Sequence, residues 1–209
     1  MKKRKIKQEG FMKGVVILML SQIFIKLMGL IYRMYLTNKD GFGDKGNAIY
    51  GSGFQIYALL LTISSIGVPN AVAKLVSERV AIGDHKSAHK IFKIALITFG
   101  TIGFLCSIFL YVSAREISNN WIQIPEAEMS LVALAPSIFF VSIICVIRGY
   151  FNGRQCIKVT ANSQTIEQIF KMVLTIIIVE LIAIISGMDT AFMAAGANLA
   201  TTLSSILCF

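Results

Sequence analysis

Charged residues are scarce in this sequence. They account for 15% of its 209 residues, whereas soluble globular domains carry about 25%. Hydrophobic residues make up 56% of the chain, and the mean hydropathy is +0.72. A composition this apolar excludes an ordinary soluble domain and predicts a membrane protein.

Long polar segments are also missing, because the longest polar connections are residues 37–47, 79–90 and 114–130. Between them lie apolar runs that approach or exceed the roughly 18–20 residues that a helix needs to cross a bilayer. The sequence therefore predicts an all-α, polytopic transmembrane bundle of about six helices behind a basic tail. The tail covers residues 1–13, the lobe covers residues 14–209, and the predicted spans are 14–36, 48–66, 91–113, 131–151, 164–185 and 191–209.

Prolines are few, and two of the three lie in or beside predicted spans. Pro69 follows the second span, and we expect that helix to kink there and to continue as an amphipathic extension toward Val80. Pro136 is expected to bend the fourth span in the same way.

Residues that build soluble active sites are sparse. The four cysteines have no CxxC spacing, and this predicts neither a disulfide framework nor a metal site. His85 and His89 lie four residues apart without a third ligand, so we interpret them as surface histidines. The sequence also lacks a P-loop, an HExxH motif and a GxSxG motif. We therefore predict no catalytic residue, no metal, no cofactor and no enzymatic activity.

The formal net charge is +9, which in a soluble protein would suggest a nucleic-acid partner. Here the placement of the basic residues along the chain matters more than their sum. Fourteen lysines and arginines fall in the tail and in the turns after the second and fourth spans, against three in the alternate connections. By the positive-inside rule, this predicts a multi-pass protein of the cell membrane with a cytoplasmic N-terminus and no nucleic-acid partner.

The first span carries two cations. Lys26 and Arg33 are seven residues apart, so they lie within about 20° of each other on one helix face, together with Gln22 and Gly29. Lys26 lies roughly 18 Å into the span, where its side chain reaches the membrane surface with difficulty, and we expect it to line a cavity. For Arg33 the sequence favours equally a snorkelling position near the outer boundary and a place in that cavity.

The fourth and fifth spans carry further charges. Glu167 precedes Lys171 by four residues, which is the spacing and order that favour an ion pair within one helix. This predicted pair either orients the helix or takes part in substrate or proton handling. Glu180 is expected near the outer end of the fifth span. Arg148 and Arg154 bracket the inner end of the fourth span, as topology anchors or as ligand contacts.

The predicted spans hold more cations than acids, and this balance favours an anionic ligand such as phosphate or pyrophosphate. Binding of sodium or of a cationic drug would instead call for clustered acidic residues in the first spans.

Four stretches of the chain together resemble a known family. They are SQIFIKLMGLIYR, IYGSGFQIYALLLTISSIGVPNAVAKLVSE, RGYFNGRQ and SQTIEQIFK. In combination they are similar to the polysaccharide-transporter and stage V sporulation protein B group of the multidrug/oligosaccharidyl-lipid/polysaccharide exporter superfamily, which is related to the lipid II flippases of the mouse virulence factor family.

The resemblance implies two helical lobes around a cavity that opens alternately to each side of the membrane, of which this chain covers the first. It implies a flippase or exporter of a lipid-linked oligosaccharide, such as an undecaprenyl-pyrophosphate sugar, for envelope polysaccharide or spore peptidoglycan. Basic residues of the first helix line the cavity in the flippase relatives, and Lys26 and Arg33 match them. With these we group Gln22 and Arg148 as candidate substrate-binding residues, and Glu167 with Lys171 as a coupling or structural pair.

The end of the chain and its composition also allow other interpretations of its function. The chain ends inside an apolar run, so we expect a fragment or a truncated reading frame that needs a C-terminal lobe or envelope-synthesis proteins as partners, besides membrane lipids. The alternative functions are a cation-coupled multidrug exporter and a non-transporting membrane scaffold or remnant.

Overall fold

The structure is a computed structural model that describes residues 8–65 and 67–209, with side chains from residue 13 onward. These residues form α-helices and no β-strand, which confirms the predicted all-α fold. The helices are α1 (Gln8–Thr37), α2 (Gly43–Ser65), α3 (Val68–Ala81), α4 (His85–Glu116), α5 (Glu128–Gly153), α6 (Ile157–Ile185) and α7 (Thr190–Cys208). A π-helical turn (Ile117–Ile122) and a 3-10 turn (Pro125–Ala127) connect α4 to α5.

Six helical units of the described chain are long and apolar enough to cross a membrane. The units differ from the predicted spans mainly in length, because helical structure continues through the polar residues that flank each apolar run. They are Lys13–Thr37, Gly43–Ala81, His85–Ile122, Pro125–Gly153, Ile157–Ile185 and Thr190–Cys208.

The second unit consists of two helices that meet near Pro69, where the sequence predicts a kink within one continuing helix. Helix α2 ends at Ser65, and α3 begins at Val68 with Pro69 in its first turn. A proline fits this position because the first turn of a helix does not use its backbone N–H groups for internal hydrogen bonds. The other predicted bend falls inside a single helix, since α5 continues past Pro136 to Gly153.

The link between α3 and α4 is a capped turn. Gly83 has a φ of +80°, which glycine adopts without steric cost. The next residue, Asp84, accepts a hydrogen bond from the backbone N–H of Ser87 at 3.0 Å and so caps α4. The hydrogen bonds from Ser87 lower the pKa of the Asp84 carboxyl below its ordinary value.

Helix α5 lies at the centre of the bundle, where it packs against α2, α3, α4 and α7. Two of its glycines allow close approach by α3. A Cβ atom on Gly149 would lie 2.9 Å from the carbonyl oxygen of Pro69, and one on Gly153 would lie 2.7 Å from that of Ala73. Small residues at helix contacts are typical of membrane bundles, where close packing drives association.

Helix α1 lies at the edge of the bundle and packs chiefly against α6. At one end of the lobe, Gly14 faces Ile157 near the start of α6. At the opposite end, the Lys39 ammonium forms an ion pair with Glu180 at 2.6 Å, and the Tyr35 hydroxyl also donates a hydrogen bond to Glu180. Most of the remaining surface of α1 is exposed, and much of it is apolar.

Candidate functional site

The exposed face of α1 carries the two cations that the sequence singles out. Lys26 and Arg33 are both exposed, and they lie among exposed apolar side chains. Their seven-residue spacing places them on one stripe of the helix. This face can present two positive charges to a ligand or to another part of the assembly at the depth of the membrane.

The glutamine on the same helix contacts α6. The side-chain amide of Gln22 donates a hydrogen bond to Gln164 at 2.6 Å. Two turns farther along α1 and one turn farther along α6, Gly29 faces Gln168, whose Nε2 atom would lie 3.7 Å from a Cβ placed on the glycine. The hydrogen bond to Gln164 therefore holds the side chain of Gln22 against α6.

The predicted ion pair between Glu167 and Lys171 is wrong. Glu167 instead pairs with Arg148 of α5, whose Nη2 lies 2.6 Å from the carboxylate. The same guanidinium donates to the hydroxyl of Ser163, at 2.9 Å from Nη2 and 3.2 Å from Nε. A helical spacing of four permits a pair, but here Nη2 of the arginine on the neighbouring helix takes the carboxylate, while Nε and Nη2 both donate to Ser163.

Arg148 is therefore a partly buried member of a polar cluster. Its side chain also lies 3.8 Å from the sulfur of Cys208, and with Ser163 it lines a cavity of about 180 Å³ between α5, α6 and α7. Arg154, by contrast, is exposed and lies over the ring of Tyr150 at 5.6 Å.

Lys171 occupies a different environment from the one its spacing predicts. Its side chain points between α1 and α2, where the ammonium lies 4.9 Å from the ring centre of Phe54 and 5.6 Å from that of Tyr32. The residue is only 9% exposed. Among the described residues, no carboxylate lies within 4.0 Å of its ammonium.

Sequence reasoning missed the aromatic residues of this site. Tyr32 and Phe54 surround Lys171, and the hydroxyl of Tyr32 lies 3.4 Å from that of Tyr50. Their signal in the sequence is weak because aromatic residues are common in apolar spans. Only the packing of α2 beside α1 and α6 makes them neighbours of a cation.

No group of three or more histidine, cysteine or acidic side chains in the described part of the chain is placed to hold a metal ion. His85 and His89 are both exposed on the first turns of α4. The polar side chains named above around α6 are amides, hydroxyls, cations and the carboxylates of Glu167 and Glu180, and both carboxylates are engaged in ion pairs.

The chain is similar to several known proteins of Bacillus subtilis. The chain is 29% identical over 170 residues to the lipid II flippase MurJ of Bacillus subtilis (strain 168), a match that covers 78% of the chain and 31% of that protein. It is 27% identical over 165 residues to stage V sporulation protein B of the same organism, covering 79% of the chain and 32% of that protein. It is also 26% identical over 196 residues to the uncharacterized membrane protein YabM, again of Bacillus subtilis, covering 94% of the chain and 34% of that protein.

The chain thus spans about a third of the length of the curated relatives that it matches. None of the solved structures matches it significantly. The family of polysaccharide biosynthesis proteins matches residues 11–209, which is nearly the whole chain. Together with its six apolar helical units, this match confirms the predicted resemblance: the chain is a multi-pass membrane protein and belongs to the polysaccharide biosynthesis protein family.

Proposed function

We propose that this chain forms the N-terminal lobe of a flippase or exporter of lipid-linked oligosaccharide. The cargo would be an undecaprenyl-pyrophosphate sugar, similar to lipid II, used for envelope polysaccharide or spore peptidoglycan. The observation that carries the proposal is the pair of cations exposed on one face of a membrane-spanning helix, Lys26 and Arg33. The relatives named as a lipid II flippase and a sporulation protein support it.

The basic residues suggest how the lobe sits in the cell membrane. We place the N-terminus, the α3–α4 link and the α5–α6 turn in the cytoplasm, because these segments hold most of the lysines and arginines. A second, C-terminal lobe would face the exposed side of α1. Alternating access in transporters generally uses two halves that move against each other around a central site.

The two exposed cations are proposed to bind the pyrophosphate. An anion that enters the membrane loses part of its hydration shell, and charged side chains with N–H donors can replace it. A hydrogen bond to a charged group contributes about 1.5–3 kcal/mol, so each contact is worth roughly tenfold or more in affinity. Lys26 lies deeper in the span than Arg33 and is the residue that we expect to matter most.

The other candidate residues have supporting roles in this proposal. Gln22 positions α1 through its hydrogen bond to Gln164. Arg148 is proposed to assist at the cytoplasmic mouth through its Nη1 group, for which the described residues provide no acceptor. Glu167 orients that arginine and fixes α6 against α5.

Replacement of Lys26 tests the proposal. In the protein as its gene encodes it, we expect Lys26→Ala to abolish complementation of a flippase-deficient strain, with a normal amount of protein in the membrane. The matched control is Lys90→Ala, which removes another exposed lysine, near the start of α4.

The rate at which purified protein in vesicles flips the lipid-linked oligosaccharide gives a second measurement. We expect Lys26→Ala to flip the lipid about tenfold or more slowly than the wild type. Normal growth and normal flipping by this variant would refute the assignment. Sodium- or proton-dependent dye efflux by the wild type, without lipid flipping, would indicate a drug exporter instead.

A further inference from the structure

Lys171 is a buried cation that the proposed roles leave without a function. It lies in the middle part of α6, within a unit long and apolar enough to span the membrane, and it is 9% exposed. A charged side chain at such a depth is costly, and in membrane proteins it usually faces a cavity or pairs with an opposite charge. In the described part of the chain, Lys171 has no such pair.

The neighbourhood of Lys171 stabilises a positive charge without neutralising it. The rings of Phe54 and Tyr32 lie 4.9 Å and 5.6 Å from the ammonium, within the range of cation–π interaction. A carboxylate is available one helical turn away, but Glu167 is directed at Arg148, with 2.6 Å between the charged atoms. The fold therefore holds the ammonium in place and keeps the nearest acid engaged elsewhere.

Lys171 lies beside α1, the helix that carries the two exposed cations. Helix α1 packs chiefly on α6 and only slightly on α2, and the ammonium of Lys171 lies near a ring from α1 and a ring from α2. Gly29 lies on α1 close to Gln168 and Tyr32, and its lack of a side chain leaves space there. Lys26 and Arg33 flank this glycine within about one turn on either side.

We propose that Lys171 is a further binding residue for the phosphate groups of the cargo. Tyr32 and Phe54 hold its ammonium, and its three N–H donors bind phosphate oxygens that reach the junction of α1, α2 and α6. The amide of Gln168 lies beside this site and can donate a further hydrogen bond. This inference rests on the proposed function, because it assigns a third cation to the same anionic cargo.

Binding of two lipids with the same tail tests the inference. The probes are undecaprenyl pyrophosphate and the neutral undecaprenol, measured on the purified protein, as its gene encodes it, by native mass spectrometry. We expect Lys171→Met to weaken binding of the pyrophosphate lipid by about tenfold or more and to leave binding of undecaprenol unchanged. Lys171→Arg keeps the charge and should keep most of the affinity.

Two controls separate this inference from a general effect. Lys90→Met removes an exposed lysine of α4 and should bind both lipids like the wild type. In addition, undecaprenyl pyrophosphate should protect Lys171 of the wild type from chemical acetylation, whereas undecaprenol should not. The protection measurement needs no variant, so it decides the question even if Lys171→Met does not fold.

The two proposals fail in different ways. If the wild type does not prefer the pyrophosphate lipid and flips no lipid-linked oligosaccharide, the proposed function is wrong. If the wild type binds and flips as expected, but Lys171→Met binds equally well or acetylation of Lys171 is unchanged by the pyrophosphate lipid, the role of Lys171 is wrong. In that case its aromatic contacts serve only to pack the lobe.

Discussion

Arg148 of α5 and Glu167 of α6 form an ion pair, with 2.6 Å between the guanidinium nitrogen and the carboxylate oxygen. Helices α5 and α6 pack against each other far less than α5 packs against α4 or α7. The pair, together with Ser163, therefore forms much of the direct connection between these two helices near the α5–α6 turn.

Removal of the carboxylate charge should destabilise the lobe. We expect Glu167→Gln to lower the free energy of unfolding by about 1–2 kcal/mol, between the values for exposed and fully buried pairs, because both side chains are partly exposed. Thermal unfolding in detergent measures the change. Glu116→Gln, at an exposed position of α4, is the control. The double variant Arg148→Gln, Glu167→Gln should recover part of the loss, and strictly additive losses would contradict the pair.

The contact between α3 and α5 depends on a glycine. Gly149→Ala should destabilise the protein by about 1–3 kcal/mol, because the new Cβ would lie 2.9 Å from the carbonyl oxygen of Pro69 and 3.0 Å from the Cβ of Val72. Gly51→Ala is the matched control in a helix, since no atom lies within 4 Å of a Cβ at that position. Thermal unfolding of both variants is the measurement. Equal stability of the two would show that α3 does not pack on α5 as described.

The hydrogen bond between Gln22 of α1 and Gln164 of α6 should contribute modestly to the stability of the lobe. We expect Gln22→Leu to lower the free energy of unfolding by about 0.6 kcal/mol, which is the average contribution of hydrogen bonds between membrane helices. A double-mutant cycle with Gln164→Leu measures the interaction itself. A coupling energy of zero would mean that the two amides bond to other groups in the membrane.

The cap of α4 should make stability depend on pH. The carboxyl of Asp84 has a lowered pKa in the folded chain, chiefly because of its hydrogen bonds to Ser87. A lowered folded pKa means that this stabilisation is complete above the unfolded pKa of about 3.9 and is lost as the pH falls through the folded value.

Asp84→Asn tests this linkage, because asparagine caps helices nearly as well but does not titrate in this range. We expect the variant to match the wild type at pH 7 and to lose less thermal stability between about pH 5 and pH 2. Asp40→Asn, at an exposed position of the α1–α2 connection, is the control. The same loss of stability on acidification in Asp84→Asn and wild type would exclude the cap as the titrating group.

The membrane lobe itself could be predicted from the sequence. Apolar runs of sufficient length have few alternatives in a bilayer, since a helix satisfies every backbone hydrogen bond within the segment. An irregularity of the helix near Pro69 could also be predicted, as a kink, because proline restricts the backbone locally, although the structure has two separate helices there. The family could also be predicted, because the four short stretches that resemble it can be read directly in the sequence.

The arrangement of the candidate site could be predicted only in part. The stripe of Lys26 and Arg33 follows from helical periodicity within one helix, and the structure exposes both residues. The partner of Glu167 does not follow from periodicity, because Lys171 and Arg148 compete for it and the second comes from another helix.

The sequence by itself determined the number of helical units, their apolar character and the placement of the two cations on one face of α1. These properties depend on local composition and on the geometry of a single helix. The tertiary structure alone decided that Glu167 binds Arg148 and that Lys171 lies between Phe54 and Tyr32. The physical reason is that the energies of charges and rings depend on distances between helices, and those distances exist only after the helices have packed.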